Sequence, residues 1–168
     1  KIPLNLTYYG NIGIDGRSGS VNDGLFITKQ DRYSYFHQLI ISKRFNSNLS
    51  LQLAPSLSHY NAVDYSYKND RISLAFGGRY KISPQTSILF DYSQPLTKFE
   101  DNATTGLSYN DPGISLGVEF STSAHAFQIF VTNYSGIVPQ QNYMKNTNDF
   151  FGKGGALIGF NITRKYNF

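Results

Sequence analysis

The 168-residue sequence has no cysteine and no tryptophan, and only a single methionine. Disulfides and thiolate-held metals are therefore excluded. The three histidines, at 37, 59 and 125, share no ligand spacing of the His-x-x-x-His kind, so neither a metal site nor a cofactor is expected. Clusters of like charge are missing too. Lys and Arg total 15 against 11 Asp and Glu, a net charge of +4 spread along the chain, whereas tracking a phosphate backbone needs basic residues gathered on one face. No nucleic-acid partner is expected. No apolar run reaches the roughly 18 residues that a membrane-crossing helix needs. That absence says nothing about a β-barrel, which hides its apolar residues at every second position. The chain opens on Lys1, with no basic segment followed by an apolar one. Any export signal is expected to have been removed or to lie outside this sequence.

What is abundant is aromatic: 13 Tyr and 13 Phe in a chain of mildly polar mean hydropathy, -0.34. These residues sit in period-two patterns, while helical periodicity is hard to find. In residues 1–14 the even positions carry Ile2, Leu4, Leu6, Tyr8, Ile12 and Ile14 and the odd ones Lys1, Asn5, Thr7, Asn11 and Gly13. The pattern recurs at 33–45, 49–61, 71–82, 87–96, 114–121, 126–134 and 155–168, which predicts eight strands. The second is the least clean, with Phe36 and Ile40 on its polar side. Pro55 in the third cannot donate to a ladder, which predicts a bulge or an unpaired N–H position there.

The connections alternate strictly. FNSN, SPQT and TSAH are short clusters of turn formers, while roughly 15–32, 62–70, 97–113 and 135–154 are long and rich in Gly, Asn, Asp and Ser. A soluble antiparallel sandwich also alternates apolar and polar faces. Three features favour instead an all-β, antiparallel up-and-down transmembrane β-barrel. Short and long connections alternate as periplasmic turns and outward loops do. Phe45, Tyr80, Phe120, Phe127, Tyr166 and Phe168 crowd toward the short-turn ends, where an aromatic girdle would sit between lipid and water. Several strands also have the length of a tilted crossing. A single barrel domain over 1–168 is expected, in the outer membrane with its termini in the periplasm.

The polar faces then form the lumen, with Arg44, Arg79, Lys81, Asp91, Glu119 and Lys165 among Ser, Thr, Asn, Gln and Gly. Arg79, Asp91 and Glu119 fall on consecutive strands near short turns, which predicts an ion-pair cluster that satisfies the lumen, a gating role being the alternative. The long loop from 134 to 154, with Tyr143, Met144, Phe150 and Phe151, is the candidate partner-binding surface, packing inside the barrel mouth being the alternative. A barrel enzyme would need a nucleophile with a base in reach, but Ser58 and His59 are neighbours on one strand and point to opposite faces. His37 is mid-strand, and His125 falls at a short turn. GNIGIDG (10–16) lacks the helix and Lys of a phosphate loop, and SYNDPG (108–113) with Glu100 and Asp101 matches no Ca²⁺ spacing.

The segments HAFQIFVTNYSGIVPQQNYM (125–144) and GALIGFNITRKYNF (155–168), with YSYFHQLIISKRFNSNLSLQLA (33–54), resemble a family of Bacteroidota outer-membrane β-barrels of unknown function. The resemblance covers most of the chain. It implies a membrane location and brings no catalytic residues. It also implies a longer protein, with about four strands preceding the segment that matches Lys1, so that this chain would be the C-terminal part of a barrel of about twelve strands. A closed eight-stranded barrel is the alternative, and closure predicts that the first strand pairs with the eighth.

Three functions follow from these readings. They are a non-catalytic structural or accessory component of the outer membrane or of a membrane complex, a narrow porin-like pore for small solutes, and a lipid-modifying barrel enzyme. The expected partners are the bilayer with its lipopolysaccharide, other outer-membrane proteins, and the assembly machinery, which would read the terminal strand through Tyr166 and Phe168. Arg164 falls on the lipid face of that strand, where it would have to snorkel to the headgroups.

Overall fold

A computed structural model describes residues 3–17, 26–63, 67–101, 106, 108–152 and 155–164. Alternating stretches flanked by turn formers become strands where neighbours pair on both sides. The result is β1 (Asn5–Ile14), β2 (Tyr33–Arg44), β3 (Leu49–Tyr60), β4 (Asp70–Lys81), β5 (Thr86–Pro95), β6 (Gly113–Ser121), β7 (His125–Thr132) and β8 (Leu157–Arg164). One six-residue helix, α1 (Pro139–Met144), lies between β7 and β8, and a 3-10 turn (Gln30–Arg32) precedes β2. Each strand is antiparallel to the next, in the order β1 to β8. The expected terminal strand is observed over its described part, and Lys165, Tyr166 and Phe168 lie outside the described residues.

Short side chains close the tight turns. Asn46 Oδ1 accepts from the backbone N–H of Asn48 and of Leu49, both at 2.8 Å, while Arg44 donates to the carbonyls of Asn46 and Ser47. Ser83 Oγ accepts from the N–H of Thr86 at 3.0 Å, and Thr122 Oγ1 accepts from that of His125 at 3.0 Å. Pro55 makes no bulge. The β2–β3 register is the same at Gln38↔Ser56 and Ile41↔Leu53, and only the ladder at Leu39 and Ile40 is interrupted, while Pro55 stays paired with Leu74 of β4. The missing N–H therefore lies on the β2 side.

The registers align the two faces across the sheet. Leu6, Ile41, Leu53, Phe76, Tyr92 and Ile114 form one cross-strand row on β1 to β6. A second row runs Leu49, Tyr80, Ile88, Val118, Ile129 and Phe160. These side chains are on the convex face, and most are exposed. Phe45, Tyr80, Phe120 and Phe127 are exposed on that face toward the short-turn end. Arg164 stands there too, opposite His125.

The sheet curves into a half-barrel. Among the described residues β1 pairs with β2 and β8 with β7, and no register joins β1 to β8. The alternative of eight strands closing on themselves is therefore not the structure. The concave face is lined by small residues, Ser34, Ala54, Ser56, Ser58, Ser73, Ala75, Ser87 and Ser93, all of them buried. The β7–β8 loop covers two of them directly, Ser34 through Gln140 and Ser93 through Tyr134.

Candidate functional site on the concave face

The loop from β7 to β8 turns back across the concave face and seats α1 against β2, β3 and β4. A six-residue helix is too short to persist alone, and Pro139 at its first turn supplies only a favourable start. Packing does the rest. Gln140 is fully buried, and its Nε2 donates to Asn11 Oδ1 at 3.0 Å and to Ser34 Oγ at 3.2 Å. Gly13 makes room for it, since a Cβ there would stand 2.6 Å from both Gln140 Nε2 and Ser34 Oγ. Gln38 Nε2 donates to the Tyr143 hydroxyl at 3.3 Å, and the Tyr143 ring lies 5.2 Å from that of Phe36.

Arg71 bolts the helix to the wall. It is 1% exposed and donates from Nη1 to the carbonyl of Met144 at 2.7 Å and from Nη2 to Asn110 Oδ1 at 3.1 Å. Its guanidinium sits 4.2 Å over the Phe99 ring. Asn110 in turn knits the β5–β6 loop, with its Oδ1 accepting from the N–H of Phe99 at 2.9 Å and its Nδ2 donating to that residue's carbonyl at 2.8 Å. Met144, Phe99 and Tyr109 form a small apolar core at this end, with Tyr60 and Tyr67 packed against it. Asn133 ties the loop's start, its Oδ1 accepting from the N–H of Ile114 at 2.7 Å and its Nδ2 donating to the carbonyls of Pro112 and Asn148.

Toward the short turns the concave face is open. A recess of about 540 Å³ is lined by Ser42, Gln52, Arg79, Asp91, Gln128 and Asn161, among others. Arg79 Nη2 pairs with Glu119 Oε1 at 2.8 Å, and Glu119 also accepts from Gln128 Nε2 at 2.8 Å and from Ser121 Oγ at 3.1 Å. The third member of the expected cluster stands apart. Asp91 lies four positions along β5 from Ser87, the residue opposite Glu119, which is about 13 Å at strand rise. Asp91 Oδ1 instead accepts from the Tyr134 hydroxyl at 3.4 Å, and that hydroxyl also contacts Ser93 Oγ. Burial pushes the Tyr134 hydroxyl well above its usual range. Burial and then the nearby Asp91 carboxylate push that of Tyr143 up to about 12.

The four loop residues singled out from the sequence separate. Tyr143 and Met144 face inward, with Met144 fully buried, whereas Phe150 is half-buried and Phe151 is 88% exposed. The two Phe rings meet edge to face at 5.0 Å. His37 and His59 point to the convex side. His37 Nδ1 bonds the Tyr8 hydroxyl at 2.6 Å and His59 Nδ1 bonds Asp70 Oδ1 at 2.7 Å, while Ser58 is buried on the concave side. Sequence reasoning missed Arg71, Asn110, Asn133 and Gln140. Pro139 opening PQQNYM was an available signal for the helix, but nothing local indicated which strands it would reach.

No curated protein and no solved structure matches the chain. The convex face explains its surroundings: two rows of apolar side chains span six strands each, far more apolar surface than a water-facing sheet presents. That face meets lipid, and it agrees with the family model that the sequence matches. Over residues 1–166 the chain fits the family described as Membrane bound beta barrel domain (DUF5777), and it belongs to that family.

Proposed function

We propose that this chain is part of an integral outer-membrane barrel that has no catalytic role and serves as a structural or accessory component of the membrane or of a complex within it. The observation that carries this reading is the plug: Gln140, Met144 and Arg71 are buried together where a conducting lumen would run. Further strands close the gap between β1 and β8, because unpaired backbone edges are not tolerated in hydrocarbon. The short turns and both termini face the periplasm, and the long loops face outward. Lipid and lipopolysaccharide cover the convex face, and Phe151, with the adjoining loop, is offered to another outer-membrane protein. During biogenesis the assembly machinery reads the terminal strand.

A narrow pore is the second reading, favoured by the polar recess at the short-turn end. Planar-bilayer recordings separate the two. The plugged barrel is expected to be silent, and a steady current from the unmodified protein would establish the pore. Lipolysis by the purified protein in detergent is expected to be nil, and turnover would overturn the non-catalytic reading.

A further inference from the structure

Beside α1 the concave face holds a second recess, of about 240 Å³. Its walls are rings. Tyr9 and Phe36 meet at 6.0 Å, Phe36 and Tyr143 at 5.2 Å, and Tyr143 stacks on Tyr134 at 6.4 Å with 15° between the planes. Asp91 lines the same recess, and no described residue lining it carries a positive charge. Asp91 also has no ion pair among the described residues, and Arg79, which could have supplied one, is committed to Glu119. The Tyr134 hydroxyl, in contact with both Ser93 and Asp91, holds the carboxylate toward the rings.

A carboxylate beside aromatic rings, with no ion pair of the protein's own among the described residues, is favourably balanced by a cation. The π faces around it attract the same kind of partner, above all an alkylated ammonium too weakly hydrated to prefer water. We propose that this recess binds a small organic cation, an amine or quaternary ammonium, with Asp91 as counter-ion and Tyr9, Phe36, Tyr134 and Tyr143 as the aromatic walls. Its volume falls below the roughly 300–1,000 Å³ typical of drug-sized ligands, which restricts the guest to a few heavy atoms. Asp91 also lines the larger recess, so the guest has a polar approach from the short-turn side.

The test is calorimetric titration of the full chain in detergent micelles with choline chloride and with 3,3-dimethylbutanol, its uncharged isostere. Choline is expected to bind saturably and at least about tenfold more tightly than the alcohol, with Asp91→Asn losing about tenfold of the choline affinity. Circular dichroism checks that the variant is folded. Should Asp91→Asn not fold, Tyr9→Leu serves instead, because that ring is 39% exposed at the rim of the sheet, and it is expected to weaken choline by about threefold. No saturable binding of choline, equal binding of the alcohol, or unchanged affinity in the folded variant would overturn the site. Because the readout is binding rather than current, the outcome is independent of whether the barrel conducts.

Discussion

Gly13 shows how one residue serves the plug. Its missing side chain is what lets the Gln140 amide reach Asn11 and Ser34, so Gly13→Ala is expected to cost about 1–3 kcal/mol through overpacking. Urea unfolding in micelles measures it, and an unchanged midpoint would mean that Gln140 is not seated there. The Arg79–Glu119 pair predicts an asymmetry. The Arg79 side chain is 43% exposed and that of Glu119 only 13%, so Glu119→Ala leaves a cation that water can reach, while Arg79→Ala strands a carboxylate on Gln128 and Ser121. Arg79→Ala is therefore expected to be the more destabilising, by about 1–2 kcal/mol against less than about 1, and the reverse order in paired unfolding measurements would contradict the geometry. In the plugged reading, Arg79→Ala leaves the bilayer recordings silent. Alternation along each strand was enough to assign these side chains to the concave face. It could not say that Asp91 would bond Tyr134 rather than Arg79, because that depends on how far along the strands each residue stands once the registers are set.

At the scale of elements, α1 and its loop are held by polar contacts to β1, β2, β4, β5 and β6 as well as by the small apolar core around Met144, and such a plug is sensitive to protonation. The Tyr143 hydroxyl titrates at about 12 in the folded protein against an ordinary 10.0. Between those values the folded chain holds a proton that the unfolded chain has lost, so stability falls as pH rises through that window. Tyr143 contributes a loss on the order of 2 kcal/mol between pH 10 and 12, and Tyr143→Phe should make the fall shallower by that amount, the buried Tyr134 hydroxyl supplying a further part. Unfolding free energies measured across that range decide, and an identical slope in the variant would remove Tyr143 from the effect. Arg71→Met should release the same helix at neutral pH. It deletes the donors to Met144 and Asn110 and is expected to cost about 3 kcal/mol, visible as faster proteolysis between β7 and β8.

For the whole molecule, the half-barrel sets the sharpest expectation. If the plug proposed above blocks conduction, replacing residues 139–144 with a Gly-Ser linker should give a steady current, because α1 crosses the concave face at its long-loop half. Continued silence would place the block elsewhere. The fold itself was largely legible from the sequence. Strand positions, the alternation of short and long connections and the inward or outward sense of each side chain all follow from a period of two and from turn chemistry, which are local. The amino-acid sequence by itself determined a meander of eight membrane-facing strands with an apolar side and a polar side. Only the tertiary structure decided that β1 and β8 do not pair among the described residues, that Tyr143 and Met144 turn inward while Phe151 turns out, and that Arg71, Asn110 and Gln140 clamp a helix across the concave face. Those features join residues 39 to 129 positions apart, and no local pattern specifies which distant partner a buried polar group will find.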